Sequence, residues 1–193
     1  MSFVDSKFVE QEIEDFDQIS SDMIERIQNG DLYRQYVAKK AQIDRQNNGM
    51  SSEKTLWHGT SLQAIDNINL YGFNRSFCGR NATYYGQGVY FAVNSSYSMS
   101  NVYSAKDQLG NKHMYQCKVL VGCPTVGNSD MKFLPTRRGN IIYDSATDST
   151  SQPSQYVIFN DTQAYPEYLI TFRYIWGEGL YALTSQQCIV YGL

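Results

Sequence analysis

Runs of basic residues are missing from this 193-residue chain: no block of five or six lysines and arginines occurs, and 16 basic residues against 19 acidic leave a formal charge of −3. Duplex nucleic-acid binders need a concentrated positive face, so nucleic acid is not expected as a partner. Long apolar runs are missing too. No segment reaches the ~18 consecutive apolar residues of a spanning helix, and the acidic start, "MSFVDSKFVEQEIEDFDQ", lacks the apolar centre of a secretory signal. The expectation is a soluble protein of the cytoplasm, the nucleus or both, with no membrane partner. Cysteine is scarce and poorly spaced for metal. Cys78, Cys117, Cys123 and Cys188 form no C-x-x-C pair and the two histidines stand at no ligand spacing from them, so free thiols and no metal are expected. Sequons begin at Asn74, Asn81, Asn94 and Asn160, but without a secretory signal they read as chance. Repeats, low-complexity tracts and Pro/Gly-rich linkers are also absent, which leaves a single domain over 1–193 as the expectation.

What the chain does have is surface to bury. Hydrophobic residues make up 42% and aromatics 14%, with 16 tyrosines, which fits a globular domain and not a disordered segment. Asp31 can cap a helix in which Tyr33, Tyr36, Val37 and Ala41 recur at helical spacing before Asn47-Asn48-Gly49 ends it, while Met23 to Gln28 is too short to assign. Ser61 can cap a second, short helix with Leu62, Ile65 and Ile68 on one stripe and Gly72 as the left-handed stop. Residues 73–88 read as a long loop, and long loops inside compact domains are commonly functional. The β-branched and aromatic runs "VYFAV", "HMYQCKVLVG", "QYVIF" and "EYLITFRYIW" read as strands, with a capped helical turn in "NSSYSMSNVYS". Many short strands with two or three helices predict an α+β domain built on antiparallel sheets.

Familiar catalytic signatures fail one after another: G-x-S-x-G, H-E-x-x-H and the P-loop are absent. Gly86-Gln87-Gly88 precedes a strand instead of following one, so a dinucleotide-binding βαβ reading fails on context. Chemistry-bearing residues remain at element edges: His58-Gly59-Thr60, Arg75, Gly88-Val89-Tyr90, Ser98 and Tyr103. A ligand with aromatic rings, an amide and phosphates needs such parts, namely flat surfaces, a bare backbone amide and a guanidinium. Taken singly, each also has an ordinary structural reading. His58 beside Trp57 fits a half-buried histidine bonded to backbone, Tyr90 a core tyrosine, and Arg75 a solvated side chain.

The segments "LWHGTS", "YGFNRS", "YGQGVYFAVNSSYS" and "AYPEYLITF", in that order and at domain-scale spacing, closely resemble the catalytic domain of the poly(ADP-ribose) polymerase superfamily. The nearest resemblance is to its macrodomain-containing mono-ADP-ribosyltransferases, and it runs from about Met23 to Phe172, leaving 173–193 as a tail of unassigned role. It implies the ADP-ribosyltransferase fold, α+β with two antiparallel sheets flanked by short helices and NAD between them. It further implies that His58 bonds ribose hydroxyls and that the Gly59 backbone pairs with the nicotinamide carboxamide, next to Thr60. Tyr90 would pack on the nicotinamide, Ser98 bind its carboxamide, and Tyr103 stack on its other face. Arg75 falls in the loop matching the one beside the adenosine and pyrophosphate.

The third catalytic position of that family is a Glu in the polymerising members. Here "PSQYVIFND" puts Gln155 there, while Glu167 of "YPEYLITF" belongs to the next strand. Cleaving the nicotinamide–ribose bond builds an oxocarbenium-like centre, so fixing the ribose and the leaving amide matters more than a strong base. Gln155 can hydrogen-bond but cannot take a proton from an incoming sugar hydroxyl. The expectation is an NAD+-dependent ADP-ribosyltransferase that moves one ADP-ribose, most easily onto Glu or Asp of protein acceptors, with self-modification left open. The alternative is a catalytically inactive module that binds NAD or ADP-ribose; retention of His58, Tyr90, Ser98 and Tyr103 speaks for the enzyme.

Overall fold

In the computed structural model, residues 19–49, 51–77 and 83–174 are described. Strand β1 (Ile19–Arg26) is followed by helix α1 (Gly30–Gln46), β2 (Glu53–Thr60), a 3-10 turn (Leu62–Ala64) and α2 (Ile65–Tyr71). After the loop come β3 (Val89–Ala92), α3 (Ser95–Ser98), β4 (Lys112–Leu120) and β5 (Pro124–Val126). Then follow β6 (Thr136–Arg138), β7 (Ile141–Ile142), β8 (Ser145–Thr147), β9 (Gln155–Ile158) and β10 (Ala164–Tyr174).

Hydrogen bonding links eight strands in the order β1-β10-β4-β2-β3-β9-β8-β5, with β6 and β7 forming a separate pair. The expected pair of antiparallel sheets is present in modified form. β1-β10-β4-β2 and β3-β9-β8-β5 are two four-stranded halves that meet at one residue pair, Trp57 with Ala92. The second half also contains a parallel pair, β5 with β8, that composition did not reveal. β1 takes in residues 23–26 of the stretch left unassigned and pairs along its length with β10.

The strand sequences alternate, and the alternation sorts them into cores on the two faces of the sheet. On one face Leu56, Phe91, Tyr115, Cys117, Val119, Tyr156 and Leu169 pack with Ile65 and Ile68 of α2. On the other, Trp57, Ala92, Met114, Ile170 and Phe172 pack with Met99 just after α3. β4 runs between β10 and β2 with both faces covered, which explains its near-continuous burial.

Two helix starts differ from expectation. Asn29, not Asp31, caps α1, its Oδ1 accepting from the N–H of Asp31 (3.2 Å) and Leu32 (3.1 Å); such a cap contributes about 1 kcal/mol. The buried line of α1 is Tyr36 and Ile43, with Tyr33, Val37 and Ala41 exposed. Ser61 makes no capping hydrogen bond; the 3-10 turn intervenes, Leu62 is exposed, and α2 buries only Ile65 and Ile68. Gly72 does end α2, at φ +74°. Three of the sequon asparagines are local caps: Asn74, Asn94 and Asn160 accept from the N–H of Ser76, Ser96 and Thr162. Asn81, Cys78, Cys188 and the tail beyond Tyr174 lie outside the described residues. Cys117 and Cys123 are free thiols.

Candidate active site

Where the halves of the sheet part, the register dictates what faces the opening. The Val121 N–H donates to Ser52 C=O at 2.8 Å, so the even-numbered residues of β2 direct their backbone groups to β4, and Trp57 and Gly59 direct theirs towards β3. On β3, the Val93 N–H donates to Ser154 C=O at 2.9 Å, which leaves Tyr90 and Ala92 facing β2. Trp57 meets Ala92, and beyond Trp57 no residue of β2 is in register with β3. Gly59 therefore turns its N–H and C=O towards the opening, a peptide edge suited to an amide-bearing ligand.

His58 spans the parting. Its Nδ1 lies 2.8 Å from the Tyr90 carbonyl oxygen, which only accepts, so Nδ1 carries the proton and Nε2 a lone pair. Among the described residues Nε2 has no hydrogen-bond partner. Phe73 and Phe91 hold the ring from two sides, with centroids 5.0 and 5.4 Å away. Burial pushes the imidazole pKa below its ordinary value of 6.5, partly opposed by the bond to Tyr90. A neutral imidazole with an unused acceptor fits a ligand hydroxyl.

Gly59 is glycine for lack of room. A Cβ there would lie 2.3 Å from the Ser98 carbonyl oxygen and 2.8 Å from Tyr103 Cβ, so the end of α3 and the loop after it rest directly on β2. This contact unites Gly59, Ser98 and Tyr103. Ser98 is buried, and Tyr103 stacks on Tyr97 at 5.1 Å with their hydroxyls 2.9 Å apart. Burial, followed by the hydrogen bond to Tyr97, pushes the Tyr103 phenol up to about 12, so it stays neutral. The Tyr90 hydroxyl donates to Gly86 C=O and accepts from the Tyr85 N–H, both at 2.9 Å.

Gln155 faces Ala92 across the sheet and Val157 faces Tyr90, so Tyr90, Gln155 and Trp57 project from one face and His58 from the other. Gln155 is buried at the start of β9, its C=O accepting from Thr147 Oγ1 at 2.7 Å and its N–H donating to Asp148 Oδ1 at 3.3 Å. Glu167 sits in β10, as its sequence position implied, in an ion pair with Lys118 at 2.9 Å. Thr60 is buried opposite His113.

A sequence model of the poly(ADP-ribose) polymerase catalytic domain matches residues 9–134. The chain belongs to this family. It is 48% identical to the protein mono-ADP-ribosyltransferase PARP14 of Homo sapiens over 78% of its length, 42% identical to PARP10 of Mus musculus over 79%, and 40% identical to PARP12 of Mus musculus over 77%. It spans only 8%, 16% and 21% of those relatives, respectively. Enzymes of the poly(ADP-ribose) polymerase family use NAD+ as substrate.

Two features of this family member were not legible in sequence. Phe73, directly after the Gly72 stop, closes over His58, and the Tyr90 backbone carbonyl, not its ring, orients the imidazole. The contacts of Arg75 are within the fold. Its Nε donates to Gln87 C=O at 2.8 Å, its guanidinium also reaches Lys132 C=O and lies over the Phe159 ring, and its N–H donates to Asp161 Oδ1 at 3.0 Å. Arg75 thus ties the loop to the end of β9. A cavity of about 590 Å³ opens there between Arg75-Ser76 and Phe159–Thr162. None of His58, Gly59, Tyr90, Ser98 and Tyr103 lines it, so it is separate from the Gly59 opening.

Proposed function

We propose that the chain transfers a single ADP-ribose from NAD+ to protein acceptors of the cytoplasm or nucleus. The observation that carries the reading is the Gly59 peptide edge, turned into the opening between β2 and β3 and enclosed by Ser98 and Tyr103. The carboxamide of nicotinamide presents one donor edge and one acceptor, the complement of a single peptide's C=O and N–H. Ser98 adds a hydroxyl, and Tyr90 and Tyr103 supply ring faces for the pyridine. His58 Nε2 accepts from a ribose hydroxyl, Gln155 holds a further ribose hydroxyl through its amide, Thr60 supports the nicotinamide side next to Gly59, and Arg75 supports the adenosine side. The bond from ribose C1′ to the nicotinamide nitrogen breaks, nicotinamide leaves as a neutral molecule, and an acceptor carboxylate closes on C1′ to give an ester. A carboxylate arrives deprotonated, so the step needs no base at position 155. A sugar hydroxyl does need one, and this limits the product to one unit.

The relatives' names support the transfer of single units, and the uncharged Gln155 supports it independently. Incubation with labelled NAD+ is expected to release nicotinamide and give one discrete labelled protein band, with label on the enzyme itself registering self-modification. A polymer ladder overturns the single-unit reading, and NAD+ binding without nicotinamide release overturns the transferase reading.

A further inference from the structure

The loop between α3 and β4 carries Tyr103 and lies against Gly59; past Met99, which packs in the core beside Trp57, it has little apolar burial to hold it: Val102 and Leu109 are 63% and 81% exposed. Its hold is polar and comes from the first two residues of β4. Lys112, 1% exposed, donates from Nζ to the Met99 carbonyl and lies over the rings of Phe172 (5.8 Å) and Tyr174 (5.1 Å). A buried ammonium is costly unless carbonyls and π faces replace its water, and here both do.

His113 makes the other ties. Ser104, fully buried and next to Tyr103, donates from Oγ to His113 C=O at 2.6 Å and accepts from the His113 N–H at 3.0 Å. The ring pairs Nε2 with Asp107 Oδ2 at 3.2 Å and Nδ1 with Thr171 Oγ1 at 3.1 Å. Asp107 in turn accepts the N–H of Leu109 and Asn111, closing the far end of the loop. Residues 99, 104 and 107 are thus fixed on both sides of Tyr103 by groups other than the residues assigned to NAD+.

We infer that Lys112 and His113 are positioning residues for the nicotinamide half of the site, holding Tyr103 and the Ser98 backbone at their distance from Gly59; the inference rests on the NAD+ reading above. The adenosine half depends on the loop at Arg75 and on His58, which these ties do not touch. The two halves should therefore respond differently to the same substitution.

The test measures nicotinamide and ADP-ribose binding separately, by calorimetry, for the wild type, Lys112→Met, His113→Phe and Ser104→Ala. Losing one such tie is expected to weaken nicotinamide binding about 3- to 10-fold, to raise KM for NAD+ in parallel with a smaller change in kcat, and to leave ADP-ribose binding within about twofold. Ser104→Ala removes one oxygen and keeps the test decisive should Lys112→Met fail to fold. Folded variants that bind both ligands as the wild type does, or that lose both equally, overturn the inference alone. A wild type that binds neither ligand overturns the NAD+ reading and the inference with it.

Discussion

Replacing Gly59 by alanine perturbs the site at its tightest point. The new methyl would sit 2.3 Å from the Ser98 carbonyl oxygen and 2.8 Å from Tyr103 Cβ, well inside contact distance. The first obstacle is backbone and cannot swing aside, so the α3 end and its loop must withdraw from β2. Overpacking of this kind costs about 1–3 kcal/mol, which for a chain of this size lowers Tm by roughly 2–12 °C. Withdrawal also separates the peptide edge from Ser98 and Tyr103, so nicotinamide binding should fall at least about tenfold, equivalent to ~1.4 kcal/mol. Gly30→Ala is the matched control. There a Cβ meets only the flexible end of the Arg34 side chain at 3.4 Å, and a helical glycine replaced by alanine should be neutral or stabilising by up to about 1 kcal/mol. Thermal melts and nicotinamide titrations of both variants give the answer. A Gly59→Ala protein with wild-type Tm and wild-type affinity would refute the claim that close approach of α3 builds the pocket.

The His58 pKa is lowered by burial, so protonation is favoured more in the unfolded chain and in any state that exposes the ring to water. Its contribution to stability and to NAD+ binding is complete above the ordinary value of 6.5 and is lost as pH falls through the depressed folded value; kcat/KM should show an acid limb below 6.5 that vanishes in His58→Ala. A limb centred above 6.5 would contradict the burial argument. Gln155→Ala should lower kcat/KM about 3- to 10-fold by removing one hydrogen bond to the ribose, measured by nicotinamide release. Glu167→Gln, which weakens a partly exposed ion pair to Lys118 worth about 0–1 kcal/mol, should leave turnover within about twofold; a large loss would make Glu167 the acid that Gln155 is not.

Most of the fold could be read from strand composition, and the reason is burial. β4, β9 and β10 are aromatic and β-branched runs because both of their faces are covered. The misses fall where sequence carries two equal signals or none. Asn29 and Asp31 are both good caps two residues apart, and only the approach of the Asn69 and Leu70 carbonyls to the Asn29 amide shows which one starts α1. The parallel β5–β8 pair joins three-residue strands, too short for a periodic signal. At the site, alternation along β2 puts His58 and Gly59 on opposite faces. The parting of the sheet after Trp57 is instead a property of where pairing stops, and no single residue type announces it. Arg75 was legible as a loop arginine, but its backbone acceptors, Gln87 and Lys132, come from separate segments of chain.

The strand order bears on synthesis as well as on chemistry. β10, the last strand among the described residues, is wedged between β1, the first of them, and β4. A ribosome releases these partners in the order β1, β4, β10, so β1 waits unpaired until residues past 164 have emerged. A nascent chain halted earlier would expose β1 and one whole edge of β4, the type of edge that recruits other chains. The domain should therefore acquire its opening in one late step, and truncated products should be captured by chaperones instead of surviving as partial enzymes.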